Sequence, residues 1–427
     1  MITVHRSSRL AGQIRVGGSK NYTSRYVLAA TLADGVSVLH NPANIDDAQV
    51  MISCCRKLGA RIEHTSEGLI VTGAGKRLQS PGELDVGNAG AVARFLMAIA
   101  AALPSPTRFV TPYPESLGRR PHDDLLQALS SLGCRCESRD GRLPITVGGG
   151  LRRGGHVRIS GAVSSQFTSA LLFLAPLLIG STHIEVYGPQ RSAPLLLQTL
   201  EVLNTAGIEV THRDLRHFTI EGPQPYLSGE RCIPGDWPGA AAILAAAAVT
   251  DSDVTLSNLS DDAQGERAIV DVLRTMGADV TFDATSRQVH IRGGRPLKAV
   301  EFDGDQATDA VMAMVAAACF AQGTSRFVNI ENLRYKESDR ISDYCRILTR
   351  MGAQVEETAD SIIVHGTPDT LPGGVAIDAH NDHRLLMGAT IVALRCRRPV
   401  RLTGVEHIAK SYPSFFEDLK KLGAHIH

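Results

Sequence analysis

The sequence has no excess of either charge and few aromatic residues. Its 427 residues include 44 Lys plus Arg and 44 Asp plus Glu, and only 5% are Phe, Trp or Tyr. A protein that binds nucleic acid along an extended surface needs a basic track and aromatic rings on which bases stack. We therefore expect no nucleic-acid partner, and an anionic ligand must be bound by a local cluster of cations.

Long apolar runs and closely paired cysteines are also absent. An apolar run such as Ala170 to Ile179 is too short to span a bilayer, and the first residues contain no apolar signal core. We expect a cytoplasmic protein that does not bind membranes. The eight cysteines form no CxxC pair, so we expect reduced and mostly buried thiols.

One pattern recurs six times. A helical segment ends in an apolar residue plus glycine, and an alternating strand follows. The glycines lie about 70 to 75 residues apart, at Gly59, Gly133, Gly207, Gly277, Gly352 and Gly423. Each copy also holds a second, almost wholly apolar helix, which indicates burial on all sides. This regularity predicts an internal repeat.

The repeats predict an α/β protein with two helices and about four strands per unit. Six units of this size exceed one core, so we expect three in each of two domains. The predicted domains are residues 17–235 and residues 1–16 plus 236–427. We expect the active site in the cleft between them.

Cations occupy the predicted first turns of several helices, where they oppose the helix dipole. They are Lys20, Arg25, Arg94, Arg340 and Arg384. A phosphate or carboxylate beside them would remove this penalty, so we expect an anion at these positions.

Three polar residues at the same helix starts have a simpler interpretation. Asn88, Ser164 and Asp236 are residue types that cap helix N-termini. Capping is therefore the first explanation for each of them.

Two loop cations, Arg120 and Lys410, each precede a predicted outer helix, as Arg340 does. The residues alone indicate an enzyme that binds two anionic groups. Asp309 and Glu337 are its candidate acid/base carboxylates.

The motifs at these positions resemble those of the enolpyruvyl transferase family, and within it the 5-enolpyruvylshikimate-3-phosphate synthases. They are, in order, Gly-Ser-Lys20, Gly-Asn88-Ala-Gly90, Arg120-Pro, Ser164-Ser165-Gln166-Phe, Gly-Asp236, Asn332 with Lys336-Glu337-x-Asp-Arg340, Asp382-His383-Arg384, and Lys410. Each motif is short, but the eight occur in order, in phase with the repeat and over the whole chain.

The resemblance implies a two-domain, inside-out α/β barrel of six βαβαββ-type repeats. It implies transfer of the enolpyruvyl (carboxyvinyl) group of phosphoenolpyruvate to the 5-hydroxyl of shikimate-3-phosphate, with release of phosphate, by addition and then elimination. This reaction belongs to chorismate and aromatic amino acid biosynthesis. The family uses no metal and no cofactor, and we expect a monomer.

The resemblance also implies roles for individual residues. Asp309 would take the hydroxyl proton, and Glu337 with Lys20 would move the proton at C3 of phosphoenolpyruvate. Phosphoenolpyruvate would be bound by Lys20, Asn88, Gly90, Arg120, Gln166, Arg340, Arg384 and Lys410. Shikimate-3-phosphate would be bound by Lys20, Asn21, Arg25, Ser164, Ser165, Gln166, Ser192, Asp309, Asn332 and Lys336.

The chain departs from the family pattern at several positions. Asn21 replaces a usual Ser, Ala91 a frequent Thr and Leu195 a common Tyr, and Trp237 follows Asp236 in place of a small polar residue. We expect Ala91 and Phe95 to weaken binding of glyphosate, which competes for this region in the family.

These departures leave other acceptors open, namely UDP-N-acetylglucosamine or another phosphorylated alcohol. The UDP-N-acetylglucosamine enzymes typically carry a reactive Cys before their Arg-Pro, and residues 111–121 contain none. RNA 3′-terminal phosphate cyclases and an inactive scaffold are alternatives from other classes. Zero net charge argues against the first, and the full set of acids and cations argues against the second.

Overall fold

The structure, a computed structural model, describes residues 1–427 and contains twelve α-helices, several of which have no exposed face. They are α1 (Lys20–Leu32), α2 (Asp46–Lys57), α3 (Gly90–Ala102), α4 (Asp123–Ser131), α5 (Ser165–Leu174), α6 (Ala193–Thr205), α7 (Trp237–Ala248), α8 (Ile269–Thr275), α9 (Val311–Ala318), α10 (Arg340–Met351), α11 (His383–Ala393) and α12 (Phe415–Lys421). No helix combines the length and apolar character needed to cross a membrane.

The strands are short and number twenty-six. They are β1 (Ile2–Val4), β2 (Arg9–Arg15), β3 (Val36–His40), β4 (Arg61–Thr65), β5 (Gly68–Thr72), β6 (Glu83–Asp85), β7 (Thr107–Val110), β8 (Cys136–Arg139), β9 (Arg142–Val147), β10 (His156–Ser160), β11 (Gly180–Tyr187), β12 (Thr211–Arg213), β13 (His217–Gly222), β14 (Glu230–Cys232), β15 (Asp251–Ser257), β16 (Asp279–Asp283), β17 (Gln288–Arg292), β18 (Leu297–Lys298), β19 (Glu301–Asp303), β20 (Ala321–Val328), β21 (Gln354–Glu357), β22 (Ile362–Gly366), β23 (Leu371–Gly373), β24 (Ala376–Asp378), β25 (Cys396–Arg398) and β26 (Val400–Thr403).

The chain divides into two compact units. We call Gly18–Ile233 the inserted unit and Met1–Gly17 with Pro234–His427 the terminal unit. These boundaries lie within two residues of the 16/17 and 235/236 positions expected from the sequence. Each unit has its own continuous apolar core.

The inserted unit contains three sheets, with strand orders β14-β3-β5-β4, β6-β7-β9-β8 and β10-β11-β13-β12. In the second sheet, β6 and β7 are parallel and β7, β9 and β8 are antiparallel. Parallel neighbours need a crossover connection, and α3 supplies it. The other two sheets repeat this pairing.

The terminal unit contains sheets with the orders β16-β17-β15-β2 and β18-β20-β22-β21, with β19 beside β20, and β1-β26-β24 with a separate β23-β25 pair. Its first two sheets also combine parallel and antiparallel pairs. Strand β15 is parallel to β2, and β20 is parallel to both β18 and β19, whereas the pairs β15-β17, β17-β16, β20-β22 and β22-β21 are antiparallel. Every residue of α7, α9 and α11 is buried, as their apolar sequences predict.

The six repeat glycines end helical segments in the left-handed region. Their φ angles lie between +78° and +105°, which only glycine adopts without strain. The predicted role of glycine in ending the helical segment is therefore confirmed: Gly352 is the C-cap residue of α10, and each of the other five glycines follows a C-cap residue.

Helix α10 is amphipathic. Ile341, Tyr344, Leu348 and Met351 are buried. The Tyr344 hydroxyl donates to the Met312 carbonyl at 3.1 Å, which ties α10 to α9. The Tyr344 side chain fits because Gly388 of α11 lies opposite it and has no side chain. A Cβ at Gly388 would lie 2.3 Å from the Tyr344 hydroxyl oxygen.

We predict that Gly388→Ala lowers the free energy of unfolding by about 1–3 kcal/mol, because the methyl group overpacks a site that has no room to relax. Denaturant unfolding measures the loss. Gly17→Ala is the matched control, because a Cβ there meets no atom within 4 Å. Equal stability of the two variants would contradict the proposed contact between α10 and α11.

Candidate active site

The terminal unit holds a buried arginine whose three nitrogens each contact a different carboxylate. Arg340, 1% exposed, is the first residue of α10. Its Nε donates to Asp382 at 2.8 Å, its Nη1 to Asp309 at 3.1 Å and its Nη2 to Glu337 at 2.9 Å. The guanidinium group therefore joins three segments that are distant in the sequence.

Two further cations contact the same acids. Arg384 Nη2 lies 3.5 Å from Asp309 Oδ2, and Lys410 Nζ lies 3.5 Å from Glu337 Oε1. Asp309 and Glu337 are thus each held between two cations. We call Arg340, Arg384, Lys410, Asp309, Glu337 and Asp382 the ionic cluster. Two other nitrogens of Arg384, Nε and Nη1, are buried and make no hydrogen bond.

The electrostatics of Arg340 follow from these contacts. Burial alone would lower the pKa of Arg340, but the charges of Asp382, Glu337 and Asp309 outweigh it and raise the pKa. The sequence predicted an anion near Arg340, and in the structure the protein's own carboxylates supply it. A ligand is therefore not needed to explain a cation at this helix start.

Asp382 is the one member of the ionic cluster to which the sequence assigned no role. Its Oδ1 accepts from the Arg384 N–H at 2.9 Å and caps α11, while its Oδ2 also accepts from the Ser338 hydroxyl at 3.1 Å. The motif Asp382-His383-Arg384 was visible in the sequence, but the contact with Arg340 depends on tertiary structure.

Other predicted residues lie near the ionic cluster in sequence. Asn332 is buried on the 3₁₀-helix Glu331–Tyr335, and its side-chain amide donates to Asp305 Oδ1 at 3.2 Å. Lys336 ends that helix and is partly exposed. Asp339 caps α10 through the Ser342 N–H, which confirms that an acid suits this helix start.

In the inserted unit, a second group forms around the start of α3. A Cβ at Gly90 would lie 3.0 Å from Arg120 Nη1 and 3.7 Å from Gln166 Oε1. Arg94 Nη1 donates to Gln166 Oε1 at 2.7 Å and to the Ser164 hydroxyl at 3.2 Å. The absent side chain of Gly90 therefore makes room for two arginines and a glutamine, which we call the arginine group: Gly90, Arg94, Arg120, Ser164 and Gln166.

The arginine group creates a positive environment. His122 is buried two residues after Arg120, and burial together with the charge of Arg94 lowers the pKa of His122 to about 3. This imidazole is therefore neutral near pH 7. Ser165 is also buried, and its hydroxyl makes no hydrogen bond.

Arg25 lies deeper than the sequence implied. It is 1% exposed, and its nitrogens donate to Thr199 Oγ1 at 2.9 Å and to the carbonyls of Asn21 and Leu195 at 3.0 and 3.1 Å. These oxygens are neutral, and burial lowers the pKa of Arg25 to about 10. Leu195, where the family often has Tyr, thus contributes its carbonyl to this arginine.

The remaining predicted residues lie at helix starts of the inserted unit. Lys20 begins α1, and its Nζ lies 3.5 Å from Asp47 Oδ2. Asn21 follows it and is largely buried, and Ser192 precedes α6 in the left-handed conformation with φ 53°. Nothing in the sequence pointed to Asp47 as the partner of Lys20.

The capping interpretation holds for two of three residues. Ser164 accepts from the Gln166 N–H and Asp236 from the Gly239 N–H, so both cap their helices. It is wrong for Asn88, because α3 begins one residue later than a cap there requires, and its N-cap residue is Ala89. No group of three or more His, Cys, Asp or Glu residues is arranged to hold a metal ion.

We predict that Asp382→Asn lowers the free energy of unfolding by about 3 kcal/mol, because it removes one charge of a buried ion pair. Asp279→Asn is the control, since Asp279 pairs with Arg295 at the surface and such pairs contribute about 0–1 kcal/mol. Denaturant unfolding compares the two. Equal losses would show that the Arg340–Asp382 pair contributes no more than a surface pair.

The chain is similar to known proteins over almost its whole length. Curated relatives named 3-phosphoshikimate 1-carboxyvinyltransferase include one from Deinococcus radiodurans, 48% identical over 425 residues, which cover 99% of this chain and 96% of that protein. Another, from Burkholderia pseudomallei, is 35% identical over 429 residues, which cover 100% of this chain and 95% of that protein.

Solved structures show the same mixed α/β fold. An EPSP synthase from Acinetobacter baumannii has a TM-score of 0.83 and 25% identity and covers 100% of this chain and 99% of its own. The enolpyruvyl transferase NikO from Streptomyces tendae, at 19% identity and a TM-score of 0.81 over 100% and 98% of the two chains, shows likeness of fold. The family model for EPSP synthase (3-phosphoshikimate 1-carboxyvinyltransferase) matches residues 4–419, and the chain belongs to this family.

Proposed function

We propose that this protein transfers the enolpyruvyl group of phosphoenolpyruvate to the 5-hydroxyl of shikimate-3-phosphate and releases phosphate. Family membership over residues 4–419 supports the reaction. The structural observation that carries it is the pairing of Asp309 and Glu337 with one guanidinium, that of Arg340. Two carboxylates beside three cations suit a reaction that moves two protons around an anionic substrate.

We propose that phosphoenolpyruvate is bound by cations of both groups. Arg340, Arg384 and Lys410 belong to the ionic cluster, and Arg120 belongs to the arginine group. Phosphate and carboxylate accept strong, charge-assisted hydrogen bonds from such side chains. The unpaired Nε and Nη1 of Arg384 support its role, because a buried guanidinium gains most from new acceptors. Lys20, Asn88, Gly90 and Gln166 complete the proposed set.

The acceptor would be bound mainly by residues of the inserted unit. We assign Lys20, Asn21, Arg25, Ser164, Ser165, Gln166 and Ser192 of that unit and Asp309, Asn332 and Lys336 of the terminal unit. The buried, unpaired hydroxyl of Ser165 supports its place in this set. Arg25 already makes three hydrogen bonds, so its charge would act on the acceptor phosphate mainly over distance.

The chemistry then divides between the two carboxylates. Asp309 takes the proton of the 5-hydroxyl while the hydroxyl oxygen bonds to C2 of phosphoenolpyruvate. Glu337, with Lys20, supplies the proton to C3. In the second step Glu337 takes back a methyl proton, the C–O bond to phosphate breaks with its electron pair leaving on the phosphate, and the C2–C3 double bond forms again. Asp309 gives the hydroxyl proton to the released phosphate. Each proton that is taken up is released, so the enzyme returns to its starting state.

The finer architecture and setting are also proposals. We propose an inside-out α/β barrel with three repeats in each domain, and a cytoplasmic monomer. We also propose weak inhibition by glyphosate, because Ala91 and Phe95 border the arginine group, and the Phe95 ring lies 5.2 Å from the Arg25 guanidinium.

Phosphate release by the purified protein with phosphoenolpyruvate and shikimate-3-phosphate tests the proposed reaction. UDP-N-acetylglucosamine is run in parallel as the acceptor. RNA carrying a 3′-terminal phosphate is tested separately with ATP, for release of AMP and pyrophosphate. We expect release that depends on shikimate-3-phosphate. Release with UDP-N-acetylglucosamine alone would keep the mechanism and change the acceptor, and silence with all acceptors would overturn the proposal.

We predict that Arg120→Ala raises the dissociation constant of phosphoenolpyruvate by more than about tenfold, because a charge-assisted hydrogen bond contributes about 1.5–3 kcal/mol. Calorimetry should show a smaller change for shikimate-3-phosphate. Arg119→Ala is the matched control, because its exposed side chain pairs with Glu115. Equal losses for both ligands would remove Arg120 from the proposed role.

A further inference from the structure

A fourth carboxylate, outside the ionic cluster, contacts the backbone of Asp309. Glu266 lies on the 3₁₀-helix Gly265–Ala268, just before α8, and is 4% exposed. Its Oε1 accepts a hydrogen bond from the Asp309 backbone N–H at 3.3 Å. Neither the family resemblance nor the proposed reaction gives this side chain a role.

The hydrogen bond acts where the position of Asp309 is least fixed by secondary structure. Asp309 lies between the 3₁₀-helix Gly304–Ala307 and the first residue of α9, Val311. Its carboxylate is held by Arg340 and Arg384, but its backbone has no regular helix around it. Glu266 thus supplies a fixed acceptor on the backbone side of the residue.

The charged groups that face Glu266 are few. Asp309 opposes it and Arg384, on α11, attracts it. The neighbouring helix α7 has no ionisable side chain, and Asp271 of α8 is exposed in a surface pair with Arg274. The 3₁₀-helix Gly304–Ala307 adds Asp305. Glu266 is therefore a buried acid on which Asp309 and Arg384 exert the main charge effects.

We propose that Glu266 is a positioning residue for Asp309, which holds its backbone by a hydrogen bond and, when ionised, makes its carboxylate a stronger base. This inference rests on the function proposed above for Asp309. It adds a residue to the reaction that does not touch the substrate.

The order in which Asp309 and Glu266 ionise determines whether kcat rises or falls with pH. Burial and the charge of Asp309 raise the pKa of Glu266 to about 7. Asp309 pairs with Arg340 and Arg384, and its negative charge is one cause of the raised pKa of Glu266, so Glu266 is the later of the two to ionise. As pH rises through about 7, Glu266 ionises and its charge increases the proton affinity of Asp309. The wild-type kcat should therefore rise over this pH range.

The pH dependence of the free energy of unfolding tests the interaction between Glu266 and Asp309 without any assumption about activity. The pKa of Glu266 is higher in the folded than in the unfolded chain, so folded protein binds the proton more tightly between about pH 4.5 and 7, and stability falls across that window. We expect Glu266→Gln to remove this fall and Asp309→Asn to reduce it. Glu301→Gln, at an exposed site, is the control that leaves it unchanged.

The double variant completes the test of coupling. If the two carboxylates interact, Glu266→Gln and Asp309→Asn do not change the slope of the unfolding free energy against pH additively in the double variant. A slope unchanged by Glu266→Gln, or additive effects, would overturn the proposal even if the enzyme is active. Failure of the wild type to release phosphate would instead contradict the proposed function and leave this outcome unaffected.

The pH dependence of kcat tests the catalytic part. Glu266→Gln retains an acceptor for the Asp309 N–H but carries no charge. We expect it to match the wild type near pH 6 and to be about three- to tenfold slower at pH 8, with little change in either KM. Glu266→Asp keeps the charge but shortens the side chain. We expect it to be slower at both pH values with the rise through pH 7 retained. A pH profile of Glu266→Gln parallel to that of the wild type would overturn the proposal.

Discussion

The buried guanidinium of Arg340 is the constraint on which the terminal unit depends. A cation that is removed from water is costly unless its donors are all satisfied, and here three carboxylates from three segments satisfy them. If Asp309, Glu337 or Asp382 moved, a charge would be left buried without its partner. The positions of the two proposed proton-transfer groups are therefore fixed by the requirements of folding.

The two units stabilise their buried cations in different ways. In the terminal unit, acids balance Arg340, Arg384 and Lys410. In the inserted unit, Arg25 is bound by neutral oxygens, and its lowered pKa reflects an incompletely compensated charge. A cation bound only by neutral oxygens, such as Arg25, attracts an anion strongly but has no base beside it. Cations paired with acids, as in the ionic cluster, attract an anion less strongly, but the acids provide both a base and an acid.

The sequence predicted the elements that depend on local rules. The six glycines with positive φ and the apolar helices α7, α9 and α11 follow from periodicity and backbone sterics. The sequence did not predict the contacts of Arg340 with Asp309 and Asp382, because each contact joins residues more than thirty positions apart. Glu266 had no signal at all, since a single acid near a helix start is ordinarily a dipole partner at the surface.

The ion pairs of the resting ionic cluster also bear on how binding and proton transfer are linked. Arg340, Arg384 and Lys410 pair with Asp309 and Glu337 in this cluster. In the proposed reaction, phosphate or carboxylate of the substrate competes with the two acids for these cations. In general, a carboxylate that loses part of its cationic pairing holds a proton more tightly. The proposed binding and proton-transfer steps are therefore linked through the same cations.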